Sequence, residues 1–401
     1  MIDRRKFMKT GSVGAGSLLI PSLAYNRVLN YPEKQIRIGI IGTGSRGQGL
    51  MKVMQSIPQF NIRAICDILP FRLKEASSIT SNVLNAYEDY RQLLDDLDLD
   101  AVVIAAPLHL HYQMARDALD ADLHIYCEKT MTFHIEESLN LVDQCKGSKK
   151  VFQVGHQYRS TPLYYQVAEI IRDGFLGKVT NIYIQWNRNH DWRREVPDPK
   201  YERIINWRMY KEYSSGLTGE LHSHQIDYVN WIFNQHPVKI TGFGGIDYWQ
   251  DGRETFDNVN TILEYPDGMK VNCVALTANA FEGYLFRFKG SKGTIVLDME
   301  NAWAYLEEPN VKELGTMDGV SGATLTALSK DGIKIDPESD HPEWSNTRFA
   351  LHDFIRCIYE DRLPSSNVFT GATTAITVRM IINALRNNTI EVWKPEYDVR
   401  A

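Results

Sequence analysis

Cysteine is scarce and shows no pairing pattern. Cys66, Cys127, Cys145, Cys273 and Cys357 are odd in number, widely spaced and contain no C-x-x-C, which excludes a disulfide scaffold and a cysteine zinc site. An excess of one charge is also lacking: 44 Lys and Arg stand against 50 Asp and Glu, a net charge of −6. Neither nucleic acid nor an anionic membrane is therefore an expected partner. The apolar run near the N-terminus is shorter than the ~20 residues of a transmembrane span. Internal repeats and low-complexity segments are absent as well. The 401 residues, 43% hydrophobic and 23% charged, suffice for two domains, each with its own core. Aromatic residues are plentiful, with 20 Tyr and 8 Trp. Many lie between residues 158 and 250, which suits an aromatic-lined cleft for a carbohydrate.

The N-terminus carries Arg4-Arg5 ahead of a small and apolar run from Gly11 to Leu23. Twin arginines before a short apolar segment mark a Tat export signal, and Ser22-Leu23-Ala24 offers a weak cleavage pattern. Residues 1–30 are read as signal and linker. The expectation is a periplasmic protein, either released by cleavage or held at the membrane by an uncleaved signal.

The stretch Ile36-Arg-Ile-Gly-Ile-Ile-Gly42-Thr43-Gly44-Ser45-Arg46-Gly47 orders a buried strand, a glycine turn and a helix start. This is the dinucleotide-binding fingerprint. Gly42 permits the tight turn, Gly44 lets the backbone approach a pyrophosphate, and Gly47 lets helix and strand pack closely. The phosphates then face unsatisfied N–H groups at the helix N-terminus. Asn61 to Asp67 reads as a second strand ending in an acid, 20 residues past Gly47. Asp67 is placed to accept from an adenosine ribose 2′-OH and to repel a 2′-phosphate, and Ile68 brings no cation. NAD is thus favoured over NADP.

From Gln35 to Val154, short apolar strands alternate with helical stretches, as in βαβ units. Asp67, Pro107, Glu128 and Lys129 fall at strand carboxyl ends, where ligands lie in open parallel sheets. Past Phe152, strand-like runs at 238–248, 259–265, 269–275, 283–289 and 293–297 follow one another without helices, which predicts an antiparallel sheet. Asn189 to Tyr213 reads as a long loop over a site. Residues 346–360 and 371–387 read as amphipathic helices, and 301–343 fits no element. The predicted fold is α/β: an N-terminal Rossmann domain (34–155) and a C-terminal α+β substrate and oligomerisation domain (156–345) with a large, mostly antiparallel open sheet. The helices in 346–401 would pack back on both.

Ala106-Pro107-Leu-His-Leu-His111 and Tyr126-Cys127-Glu128-Lys129-Thr130 resemble the T-P-N-x-x-H and E-K-P motifs of the glucose–fructose oxidoreductase / inositol dehydrogenase (Gfo/Idh/MocA) family. Ala106, Leu108 and Thr130 depart from the pattern. The resemblance continues through Gly155-His-Gln-Tyr158-Arg159 and Gly174-Phe-Leu-Gly177 and covers nearly everything after residue 35. It implies a cofactor site that includes Pro107, His111, Glu128 and Lys129. A lysine partly withdrawn from water exchanges protons near neutral pH, and Lys129 matches the lysine that the family uses so. Glu220, His224 and Asp227 match the family's D-x-G-x-H-x-x-D pattern, with Glu for the first acid and His222 for the glycine. His224 would be the general acid/base, and Glu220 would bind sugar hydroxyls or orient it.

His156, Tyr158, Arg159, His190, Trp192, Arg193, Trp207 and Arg208, with His222 and Asp227, are candidates to line the substrate side. His222 and His224 with Glu220 or His190 have metal-like composition, but members of the family mostly work without metal, and none is expected here. The resemblance implies an NAD-dependent oxidoreductase acting on a sugar, polyol or glycoside, with the cofactor tightly held. It further implies a homo-oligomer joined through the C-terminal sheet. Two alternatives stand beside it: a redox-neutral glycoside hydrolase or lyase working through a keto intermediate, and a non-catalytic sugar-binding protein.

Overall fold

The computed structural model describes residues 34–80, 85–96, 98–307, 332–337 and 339–399; the export segment expected at 1–30 lies outside them. The first sheet holds β1 (Ile36–Ile41), β2 (Phe60–Cys66), β3 (Asn85–Tyr87), β4 (Ala101–Ile104), β5 (His124–Cys127) and β6 (Phe152–Val154). Their order is β3-β2-β1-β4-β5-β6 and every pairing is parallel. Such strands are covered on both faces and need apolar side chains throughout. Ile38, Ile40, Val102, Val103 and Ile125 are accordingly fully buried. The covering helices are α1 (Ser45–Gln55), α2 (Pro70–Ser77), α3 (Tyr90–Leu94), α4 (His111–Asp120) and α5 (Ile135–Lys146). Strand order reverses between β1 and β4, so a crevice opens beyond their carboxyl ends. The turns Gly42–Gly47 and Ala105–Pro107 meet there.

The second sheet contains β7 (Val179–Asn187), β8 (Lys239–Gly245), β9 (Asn258–Glu264), β10 (Lys270–Leu276), β11 (Tyr284–Gly290), β12 (Gly293–Leu297), β13 (Ala302–Leu306), β14 (Ile333–Ile335) and β15 (Glu391–Val392). The order is β14-β13-β12-β11-β7-β10-β9-β8-β15. All neighbours run antiparallel except β7 and β10, which are parallel. β7 enters the sheet centre, with Ile182, Ile184 and Trp186 opposite Val271, Cys273 and Ala275 on one side and Phe288, Phe286 and Tyr284 on the other. This buried face packs on α6 (Pro162–Arg172) and α8 (Ser223–Phe233); a one-turn helix, α7 (Glu202–Ile205), lies in the segment between. The opposite face stays open, with Phe243 and Ile262 exposed. β13 and β14 fall in the stretch that had no predicted element, and residues 308–331 are outside the described residues.

The last two helices tie the halves together. α9 (Asn346–Glu360) contributes Leu351, Phe354 and Ile355 to the core behind β1 and β2. α10 (Val368–Asn387) places Val368, Ala372 and Ala375 in the core of the first sheet and Ile376, Met380 and Ile381 in that of the second. α10 is long and apolar enough to cross a membrane, but most of it is buried inside the fold.

Candidate active site

The glycine turn forms the floor of a cleft of about 800 Å³. Gly42 has φ +90°, and a Cβ there would lie 2.7 Å from the backbone of Ala105 and Ala106. A Cβ on Gly47 would fall 2.0 Å from the Gly42 carbonyl oxygen, so turn and helix can close only without one. Gly44 lines the cleft and has only the Arg72 guanidinium near its missing Cβ, at 3.4 Å. Ser45, Asp67, Ile68 and Pro107 line the same space. The Asp67 carboxylate accepts from Thr43 N at 2.9 Å and Leu69 N at 3.0 Å, fixing the β2 end against the glycine turn. A backbone cradle open at Gly44, an acid at the β2 end and a cleft of this size fit a dinucleotide. Arg72, one helical turn past Ile68, was not singled out from sequence.

A strap from the second half forms one wall of this cleft. Arg194, Arg203, Ile205, Trp207 and Tyr213 all face it. Asn206 holds the strap in shape, accepting from Arg194 N at 2.7 Å and donating to Arg194 O at 3.1 Å and Glu202 Oε2 at 2.9 Å.

A second chamber of about 360 Å³ adjoins the cleft, sharing Arg46, Ala105, Ala106, Trp207 and Arg208 with it. Lys129, Glu220, His224 and Tyr158 converge on this chamber. Glu220 sits in a π-helical turn, Thr218–His222, that runs into α8. π-turns interrupt helices mostly at functional sites. Here the turn presents carbonyl oxygens to side chains. Thr130 Oγ1 and Ser223 Oγ donate to Gly219 O at 3.0 and 2.6 Å, and Lys129 Nζ donates to Glu220 O at 2.9 Å. The Glu220 carboxylate accepts from Arg208 Nε at 2.7 Å and lies 3.9 Å from Lys129 Nζ.

Burial pushes the Lys129 ammonium below its ordinary pKa, although Glu220 and Glu128 pull it back up. Burial alone would raise the Glu220 carboxyl, but Arg208 and Lys129 outweigh it and hold it low. Burial, then the Lys129 charge, holds His224 well below its ordinary pKa, so the imidazole is neutral. Its Nδ1 is buried without a protein partner, and its ring lies 5.2 Å from Tyr158 and 6.0 Å from Trp186.

Glu128 and His111 line the chamber while bracing it. The Glu128 carboxylate accepts from Arg46 Nε at 2.8 Å, which joins the β5 end to the glycine turn. The His111 ring bridges Ala106 O and Thr130 O, each at 2.9 Å, and so fastens the β4 end to the β5 end.

Seven residues grouped with the substrate side by sequence lie elsewhere. His190 is exposed, accepting only from Trp192 N. Trp192 packs against the second core. Arg193 pairs with Glu202 and Asp251 behind the strap, while its neighbour Arg194 faces the cleft. His222 is fully buried and turned away from the chamber, held at a pKa of about 4 by burial. Arg159 and Asp227 form a buried pair, Nε to Oδ2 at 2.7 Å and Nη2 to Oδ1 at 2.8 Å, which also fixes His156 Nδ1 at 3.2 Å. The reason is common to all seven: each has a protein partner or core contact that turns it from the cavity. Asn346 and Thr347 at the start of α9 line the chamber unannounced by any motif, and Gln157, inside the Gly155–Arg159 stretch, lines it too. The wealth of Arg in 189–213 was the one signal for Arg203.

Comparison with known proteins matches residues 36–156 to the model "oxidoreductase family, NAD-binding Rossmann fold" of Gfo/Idh/MocA, and residues 164–296 to the GFO/IDH/MocA C-terminal domain. A levoglucosan dehydrogenase of Pseudarthrobacter phenanthrenivorans is 26% identical over 301 residues, covering 67% of this chain and 74% of that protein. An inositol 2-dehydrogenase/D-chiro-inositol 3-dehydrogenase of Lactiplantibacillus plantarum is 27% identical over 210 residues, covering 52% of this chain and 55% of that protein. The fold is shared with a levoglucosan dehydrogenase solved in complex with NADH and L-sorbose, with a TM-score of 0.72 at 20% identity over 90% of this chain and 99% of that one.

Proposed function

Because the chain belongs to the Gfo/Idh/MocA family of NAD-binding oxidoreductases, we propose that it oxidises a secondary alcohol of a sugar, polyol or glycoside and retains its NAD between turnovers, a second, carbonyl substrate taking the hydride back. The observation that carries this reading is the convergence of Lys129, Glu220 and His224 on a chamber that shares a wall with the dinucleotide cleft. Gly42, Gly44, Asp67 and the strap residues Arg203 and Trp207 would hold the cofactor. NAD, when bound, supplies the acceptor for a hydride leaving the carbinol carbon. Lys129 Nζ takes the hydroxyl proton, since burial keeps more of it as free amine at neutral pH than an exposed lysine would show. Glu220, held ionised by Arg208 and Lys129, accepts from a second hydroxyl and fixes the sugar's orientation. His224 is neutral and exchanges a proton with a neighbouring hydroxyl. Tyr158 and Trp207 offer ring faces to the sugar's C–H surface.

The strap over the cleft also supports a second reading, redox-neutral cleavage of a glycoside through a transient ketone, in which no free coenzyme needs to enter or leave. Purified protein incubated with sugars, polyols and glycosides, with and without added NAD, separates the two. Ketone formed in step with alcohol loss, matched by NADH or by reduction of an added carbonyl sugar, supports oxidation, and free sugar with neither supports cleavage. No product from any of them would sink both. The twin-arginine segment supports export to the periplasm, which cell fractionation tests. The open face of the second sheet supports self-association, which sedimentation tests.

A further inference from the structure

A third cavity, about 720 Å³ and twice the volume of the catalytic chamber, shares no lining residue with the chamber or the cleft. It lies between the end of α8, the turn after it, the start of α10 and the strand β15. Its formal charges are paired within the protein. Arg159 is bidentate to Asp227 and donates from Nη1 to Ser365 O at 3.0 Å. Asp398 accepts from Trp393 Nε1 at 3.0 Å and lies 3.1 Å from His236 Nε2. No unpaired cation is offered to an anion on these walls.

What the cavity does offer is aromatic faces and amides. Trp393 stacks on His236 with centroids 3.9 Å apart, and Trp231 forms a further wall beneath the Arg159 guanidinium. Asn234, Gln235, Thr370 and Thr373 add polar side chains. Asn230 is only 6% exposed and accepts from the Tyr265 hydroxyl at 2.6 Å, yet its Nδ2 has no acceptor.

We propose that this cavity is a second saccharide site, separate from the chamber, that takes a neutral sugar unit. Ring hydroxyls meet the polar side chains of Asn234, Gln235, Thr370 and Thr373, and the apolar ring face lies against indole. Paired charges exclude a preference for acidic sugars. The polar amides exclude a purely apolar ligand, and the volume suits a small ligand. The site does not depend on Lys129, so its fate is independent of the catalytic reading.

Calorimetric titration of the full chain, as purified, with maltose, cellobiose and glucuronic acid tests it. The expected result is saturable binding of a neutral disaccharide that survives Lys129→Ala. It should weaken about tenfold or more in Trp393→Ala, which removes the stacked wall, and in Gln235→Trp, which fills the mouth from a surface turn. Melting curves identify any variant that fails to fold, and the other then decides. Three results would overturn the proposal: no disaccharide bound at saturating concentration, tighter binding of glucuronate than of the neutral sugars, or unchanged affinity in the folded variants.

Discussion

Lys129 donates to the main-chain carbonyl of Glu220 at 2.9 Å, while that residue's carboxylate lies 3.9 Å from its Nζ. The amine is therefore positioned chiefly by backbone, through a turn whose shape does not depend on the Glu220 side chain. That separates two roles that the pair could have shared. Position comes from the π-turn, and charge comes from the carboxylate.

Lys129→Ala should consequently lower kcat by about 10²–10⁴-fold, the range for loss of a general base. Cofactor content should not fall in parallel, because the cleft is built from other residues. Steady-state rates, with NAD measured on denatured protein, check this. Turnover within twofold of the unaltered protein would remove Lys129 from the chemistry.

The pH–rate profile should move in opposite directions for two neighbours of Lys129. The free amine is the active form, so kcat/KM rises with pH through the pKa of Lys129. Glu220 favours the protonated amine and Arg208 disfavours it. Glu220→Gln therefore moves the rising limb to lower pH, and Arg208→Gln moves it to higher pH. Limbs that move together, or not at all, would mean that another group titrates.

The strands of the first sheet were legible because parallel strands buried on both faces need near-continuous apolar runs, and 38–41 and 101–104 supply them. β3 and α3 passed unnoticed, since a three-residue edge strand with two exposed residues and a single turn leave little pattern. His222 and His224 look alike in sequence, but residues two apart on a helix point about 200° away from each other. One faces the chamber and the other the core. The pairing of Arg159 with Asp227 across 68 positions is a tertiary event that no local spacing announces. Adjacent arginines at 193 and 194 face opposite sides of the strap for the same reason.

Two glycines in one turn should fail differently. Gly44→Ala meets only a movable guanidinium, so the melting temperature should stay within about 2 °C while NAD affinity falls at least about tenfold. In Gly47→Ala the new methyl carbon meets the Gly42 carbonyl oxygen, and backbone has to shift, so the melting temperature should drop by several degrees. Thermal melts with and without NAD distinguish them. Equal destabilisation of both variants would contradict the open cradle at Gly44.

Asp67→Ala removes the acceptor of two main-chain N–H groups and, in the proposed complex, of a ribose hydroxyl. NAD binding should weaken by about 10- to 100-fold, the value of one charged hydrogen bond. Asp67→Ser with Ile68→Arg should raise NADP binding relative to NAD, because a 2′-phosphate gains a cation in place of an anion. Titrating both cofactors into each variant checks this. An unaltered protein that binds the two equally would contradict the role given to Asp67.

Asp227→Asn distinguishes a substrate ligand from an internal brace. The Asp227 side chain is almost fully buried, receives two donors from Arg159 and one from Thr374 Oγ1, and touches His156. Taking one charge from such a pair leaves the other uncompensated inside the protein, which destabilises by about 3–5 kcal/mol. Denaturant unfolding should show that loss. KM should change by less than about threefold, because neither Arg159 nor Asp227 lines the chamber. A stable variant with a greatly raised KM would instead place Asp227 on the substrate. The brace also reaches the chemistry, since His156 lies between Asp227 and His224 with its ring 6.0 Å from the latter. A fall in kcat without a change in KM is therefore the expected signature of a loosened His156.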